Sequence, residues 1–147
     1  EINILTEIVL VSSSINNYEP AKIMFNILTS TQIQKSTADN RFALPSVYAT
    51  LSQLLGKQKK FEEVVILTQK GIDFSNYHEI SNVLSNLLIL NSFAYYDLGK
   101  IKEAMKSAQK AFMQIYIEDK PEKFEQFKKS FESKFKMSIE EIKKTDW

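Results

Sequence analysis

The chain reads as all-α, an α-solenoid of irregular helical hairpins closed by C-terminal capping helices. Three observations predict this. Apolar residues recur at helical spacing through nearly every segment, and no stretch alternates with the period of a strand. Only three glycines and three prolines interrupt 147 residues, which leaves few obligatory turns and favours long helices. The chain also repeats itself. Shifted by forty residues, Ser52 falls on Ser92, Lys60 on Lys100, Glu63 on Glu103, Gln69 on Gln109 and Lys70 on Lys110. Val64 and Gly71 fall on Ala104 and Ala111, and Phe61 falls on Ile101. Upstream, Tyr18 and Ala21 repeat the relation of Phe61 to Val64. Fixed-period similarity of this kind marks stacked hairpins, each burying its apolar face against the next.

Taken in order, residues 2–14 form a first helix with Leu5, Ile8, Val9 and Ser12 on one face. Asn16 and Asn17 are turn formers, and Pro20 suits the first turn of a second helix, where a missing N–H costs nothing. That helix runs to about residue 34 through Ile23, Phe25, Ile27 and Leu28, and the polar residues 35–40 read as a loop. Pro45 opens a third helix that ends near Gln58, and Lys59 and Lys60 turn into a fourth that ends near Phe74. After a short connection at 75–78, a long fifth helix runs from about residue 79 to Leu98. Gly99 lies just past its end, where a left-handed backbone is needed. The sixth helix carries Ile101, Ala104, Met105, Ala108, Ala111 and Phe112. Pro121 starts a seventh, with Phe124, Phe127, Phe131 and Phe135 three and four residues apart. Ser138 followed by Glu141 resembles a capping box for a last short helix. The expected hairpins are thus 2–34, 42–74 and 79–117, with capping helices over 121–145. Glu1 is not an initiator Met, and apolar periodicity starts at Ile2, so we expect one domain taken from a longer chain.

Composition excludes several classes of function. Hydrophobic residues make up 44% of the chain and charged ones 25%, as in an ordinary folded domain. The net charge is +1 and Arg41 is the only arginine, so no basic face is expected to contact nucleic acid. With no cysteine, a disulfide framework, thiol catalysis and cysteine-based zinc sites are ruled out. Apolar runs such as residues 87–90 are far too short to span a membrane, and the expectation is a cytoplasmic protein. His78, the lone histidine, lies in a connection without a serine–acid partner pattern. The pairs Glu62–Glu63 and Glu140–Glu141 point to different faces of their helices, unlike a positioned acid–base couple. The three glycines make no phosphate loop, and no metal-ligand spacing occurs. No enzyme, cofactor or metal is expected.

Ser92, Tyr95, Ala104 and Ala111 stand where the tetratricopeptide pattern wants a small residue, an aromatic and two more small residues. The second copy has Ser52, Leu55, Val64 and Gly71 there, and the first has Val9, Ser12, Ala21 and Leu28. Small side chains at these positions let neighbouring helices approach closely. The copies depart from the pattern by holding Leu88, Tyr48 and Leu5 at its tryptophan position, by periods of forty and forty-three residues, and by lacking its C-terminal proline. Irregular repeats of this kind, with the segment AYYDLGKIKEAMKSAQKAF followed by FEQFKKSFESKF, resemble the C-terminal domains of Rgg/PlcR-type peptide-sensing transcription regulators of Gram-positive bacteria. The resemblance implies a helical domain that forms homodimers and holds a short signalling peptide in a groove. DNA binding would belong to a separate helix-turn-helix domain, of which this chain carries no segment.

On a tetratricopeptide-like hairpin the first helix lines the concave face. Asn82, Asn86, Ile89, Phe93 and Tyr96 then share one stripe of the fifth helix, and the corresponding positions of the earlier copies, Asn3, Thr6, Ser13, Ser46, Gln53 and Lys57, make a polar, nearly neutral groove wall. Asparagine offers both a donor and an acceptor and can pair with an extended peptide backbone whatever its sequence. Two readings stay open: Ile89, Phe93 and Tyr96 form ligand pockets, or they are core and the asparagines are merely solvated. The charged-tail clamp of chaperone-binding repeats is not expected, because of its matching positions Thr6, Leu10, Thr50, Asn86 and Leu90 only Asn86 fits. Asn91 falls on a position that is normally apolar, which predicts a hydrogen bond inside the bundle. The Phe124–Phe135 stripe reads as a cover for the last hairpin, with a dimer surface as the other use. The function expected is that of a peptide-binding sensor and dimerisation domain. The alternative is a protein–protein interaction scaffold without a regulatory ligand.

Overall fold

Two hairpins and a C-terminal pair of helices account for the computed structural model, which describes residues 44–146 together with Glu19 and Ile23. The helices are α1 (Leu44–Lys57), α2 (Phe61–Tyr77), α3 (Leu84–Asp97), α4 (Ile101–Ile117), α5 (Pro121–Phe135) and α6 (Ile139–Lys144). No strand occurs among the described residues, as the apolar period predicted. The expected hairpin over 2–34 lies outside them apart from Glu19 and Ile23, both helical.

Each helix packs on its neighbour in sequence from α1 to α4, and α1 also lies against α3. The first helices of the two hairpins are therefore side by side. Helix α5 joins them: Phe127 and Phe135 set their rings 5.9 and 5.8 Å from that of Phe93, and Phe135 lies 4.4 Å from Tyr96. Thus α1, α3 and α5 form one layer, with α2 and α4 behind it. The repeat positions work as close-approach points. Val64, Ala104 and Ala111 are buried, and a Cβ on Gly71 would come within 3.0 Å of Leu87 and 3.1 Å of Tyr48. Helix α2 thus rests on α1 and α3 at once.

Four of the five helix junctions share one geometry, and the fifth, between α5 and α6, closes on left-handed Lys136 with a single bond from its N–H to Glu132 C=O. After α1, the N–H of Lys59 donates to Gly56 C=O and that of Lys60 to Leu55 C=O, the paired bonds of a Schellman turn. Gly99 and Lys100 do the same to Tyr96 and Tyr95, as do Asp119 and Lys120 to Tyr116 and Ile115. Lys59, Gly99 and Asp119 are all left-handed, with φ of 57, 74 and 51°. A fourth such turn corrects the expected fifth helix. Glu79 is left-handed at φ 55°, and Ile80 N–H donates to Ser75 C=O. The preceding helix therefore runs on to Tyr77, buried Ile80 anchors the turn, and α3 begins only at Leu84.

Buried polar groups tie the layers together. Ser107 on α4 donates to Asn91 Oδ1 at 2.5 Å, Asn91 Nδ2 donates to Thr68 Oγ1 at 2.9 Å, and Thr68 donates to Val64 C=O at 2.7 Å. The chain crosses α4, α3 and α2 and satisfies the amide at the unusual position 91. At the start of α5, Lys123 donates to Ser85 at 2.6 Å, and Ser85 donates to Glu118 at 2.9 Å. Burial pushes the Glu118 carboxyl up, but hydrogen bonds from Ser85, Gln114 and Lys120 and the charge of Lys123 together hold it below its ordinary value. Burial pulls the Lys123 ammonium down, against the pull of Glu118 and with that of Lys120.

Pro121 stands in the first turn of α5, and Phe127, Phe131 and Phe135 are buried. Phe112 of α4 meets Phe124, Phe127 and Phe131 at centroid distances of 5.2, 4.4 and 5.6 Å. The stripe covers the second hairpin. Ser138 and Glu141 form both halves of a capping box at α6, and Gln109 of α4 donates to the carbonyls of Ile142 and Thr145 at its far end.

Candidate functional site

The α1–α3–α5 layer carries two clefts that meet at Phe93. The first, about 340 Å³, lies where α1, the start of α2, α3 and α5 converge. Its floor is Phe61, Val64, Leu90, Phe93 and Ala94, and Gln53, Lys57, Asp97 and Lys134 stand around it. The second, about 240 Å³, lies between α3 and α5 and is lined by Asn86, Ile89, Phe93, Lys123, Gln126, Phe127 and Ser130. Both are small apolar recesses edged by amides and single charges.

Most of the residues singled out from sequence sit at these clefts. Gln53 and Phe93 share the first, and Asn86, Ile89 and Phe93 share the second. Gln53 is exposed, while Asn86, Ile89 and Phe93 are half-buried. Tyr96 lines neither cleft; its ring is half-buried against Phe135. Asn82 lies in the turn before α3 and is exposed, so it does not continue the helical stripe, which begins at Asn86. The reason is the left-handed Glu79, which ends α2 and delays α3 by five residues relative to the expected start. Phe93 combines the two readings of the aromatic stripe. One side packs on the rings of α5, and the ring still walls both clefts.

Electrostatics concentrate at the first cleft. Lys134 Nζ lies 2.7 Å from Asp97 Oδ1 and 5.7 Å from the centroids of both Phe93 and Tyr96. An ammonium over two ring faces is attracted by their quadrupoles. Lys57, in the last turn of α1, makes no ion pair among the described residues. The Ser52 hydroxyl, in the wall of the same cleft, is fully buried and has no hydrogen-bond partner among them. Sequence reasoning did not find Lys134, because the C-terminal helices read as a cover and not as a wall of the groove. The Lys134 spacing from Phe131 and Phe135 puts it beside the buried face of α5, which is the signal that was present.

Elsewhere, a cleft of about 510 Å³ lies between α4, α5 and α6, lined by Phe112, Met113, Tyr116, Phe124, Ile139 and Ile142. Among the described residues no three His, Asp or Glu side chains cluster as metal ligands, and no helix is long and apolar enough to cross a membrane. In comparisons with known proteins, no family model, curated protein or solved structure matches the chain.

Proposed function

We propose that this chain is the peptide-sensing domain of a transcription regulator, binding a short linear peptide along the α1–α3–α5 face. The observation that carries the reading is the pair of clefts sharing Phe93. Two apolar recesses on one face, edged by Gln53 and Asn86, suit alternate side chains of an extended peptide. The amides would pair with its backbone. The regulatory part of the reading, together with homodimer formation, a cytoplasmic location and non-enzymatic action, rests on the resemblance of residues 88–135 and on the residue types present. The test is selection of peptides by display against the domain, followed by titration calorimetry. Asn86→Ala is expected to weaken the selected peptide by about 1–2 kcal/mol, the scale of one lost amide hydrogen bond. Phe93→Ala is expected to weaken it further and to lower the melting temperature, because the ring also packs on α5. Unchanged peptide binding in both variants would overturn the reading.

One observation favours the scaffold alternative. Met113, Tyr116 and Ile117 on α4 are exposed by 66, 80 and 67%, and the first two wall the cleft between α4, α5 and α6. Exposed apolar groups in one stretch are a feature of protein-binding surfaces. A scaffold of that kind would bind a folded partner through α4, and no short peptide would compete.

A further inference from the structure

We infer that the cleft between α1, α3 and α5 reads a carboxylate of the bound peptide, with Lys57 and Lys134 as the cations and Ser52 as a hydroxyl donor. This deepens the peptide reading and rests on it. The argument begins with charge. Two ammonium groups and one carboxylate line the cleft, and the carboxylate, Asp97, is spent on Lys134 at 2.7 Å. Lys57 is left uncompensated among the described residues, so the lining has an excess of one positive charge.

The second observation is independent of charge. Ser52 is fully buried and lines this cleft, yet its hydroxyl has no partner among the described residues. Its repeat counterpart Ser92 donates to Ile89 C=O at 2.9 Å. The hydroxyl at this repeat position is therefore able to turn back onto its own helix, but that of Ser52 does not. A buried hydroxyl without a partner costs free energy, which a ligand oxygen would recover once the Ser52 side chain turns toward the cleft.

The floor sets the rest of the specificity. Phe61, Leu90 and Phe93 are apolar, and a volume of about 340 Å³ is near the lower end for small-ligand sites. The cleft thus takes one or two residues of a peptide: an apolar or aromatic side chain on the floor and a carboxylate at the rim. The cations come from the last turn of α1 and from α5, not from the positions of the charged-tail clamp. The carboxylate belongs either to the peptide's C-terminus or to an acidic side chain.

Three dipeptides test this by NMR titration of the whole chain. N-acetyl-Leu-Phe has a free C-terminus, N-acetyl-Leu-Phe amide is neutral, and N-acetyl-Asp-Phe amide carries its charge on the side chain. At least one charged probe should bind more tightly than the neutral one by about fivefold at low salt, the scale of one partly exposed ion pair. Whichever charged probe gains identifies the source of the carboxylate. Lys57→Met and Lys134→Met should each reduce the gain, whereas Asp97→Asn, which releases Lys134, should increase it. The melting temperature of each variant separates lost binding from lost folding. If all three probes shift the Gln53 and Phe93 resonances with equal affinity, the carboxylate subsite is wrong and the peptide reading stands. If no probe perturbs the cleft residues, both are overturned.

Discussion

At the scale of single residues, the helix junctions show how local chemistry and backbone geometry part company. All five junctions close on a left-handed residue, and only one of the five, Gly99, is a glycine. A left-handed backbone costs an L-residue about 1–2 kcal/mol, so Lys59, Glu79, Asp119 and Lys136 are held there by the turn's hydrogen bonds and by packing on either side. Gly99 makes a clean test, because an added Cβ would meet no atom within 4 Å. Gly99→Ala is expected to lower stability by about 1 kcal/mol through the backbone alone, and Asp119→Gly to raise it by about 0.5–1 kcal/mol. Urea denaturation of the two variants reads both signs. Gly99 was legible as a helix stop for the same steric reason. The other four were not, since Lys and Glu carry no signal for positive φ and Asp only a weak one. Asn91 was legible as a buried amide because it interrupts an apolar face. Its partners Thr68 and Ser107 lie 23 and 16 residues away and were not.

At the scale of elements, α5 is the informative helix. It is held to α3 near both ends, by Lys123 on Ser85 and by Lys134 on Asp97, with the phenylalanine rings between. The first attachment includes Glu118, whose side chain is 8% exposed and whose carboxyl is held below its ordinary value. A carboxyl depressed in the folded state contributes stability that is fully present above its unfolded value and is lost as pH falls through the folded one. The protein is therefore expected to lose urea resistance on the acid side of the ordinary glutamate range. Glu118→Gln should flatten that dependence and lower the midpoint at neutral pH. An acid limb unchanged in the variant would show that other carboxyls govern it. The existence of α5 followed from Pro121 and the spacing of four phenylalanines. Its neighbours did not, because periodicity says which face is apolar and nothing about which helix it meets.

At the scale of the whole molecule, the solenoid needs an end. Phe112 is 7% exposed and is covered by Phe124, Phe127 and Phe131, while Ala104 and Ala108 are fully buried. Truncation before Pro121 would strip α5 and α6 from α4 and expose this face. Each buried phenylalanine contributes about 1.5–3 kcal/mol, so the truncated chain is expected to melt at much lower temperature or to aggregate. Light scattering and a thermal melt check this, and a soluble truncation with unchanged melting would assign the Phe stripe to an intermolecular contact.

The sequence by itself determined the class of fold, the pairing of helices into hairpins and the small residues at their close approaches. These follow from periods of 3.6 and forty residues, which are properties of a linear chain. It also placed Gln53, Asn86, Ile89 and Phe93 on one face, because first helices of successive hairpins stack side by side. Only the tertiary structure decided that Asn82 falls off that face, that Tyr96 packs under Phe135, and that Lys134 joins the cleft. Each of these depends on where a turn ends or how a later helix crosses, and both are settled by contacts between residues far apart in the chain. A repeat that lapses after Phe112 leaves no pattern from which to read them.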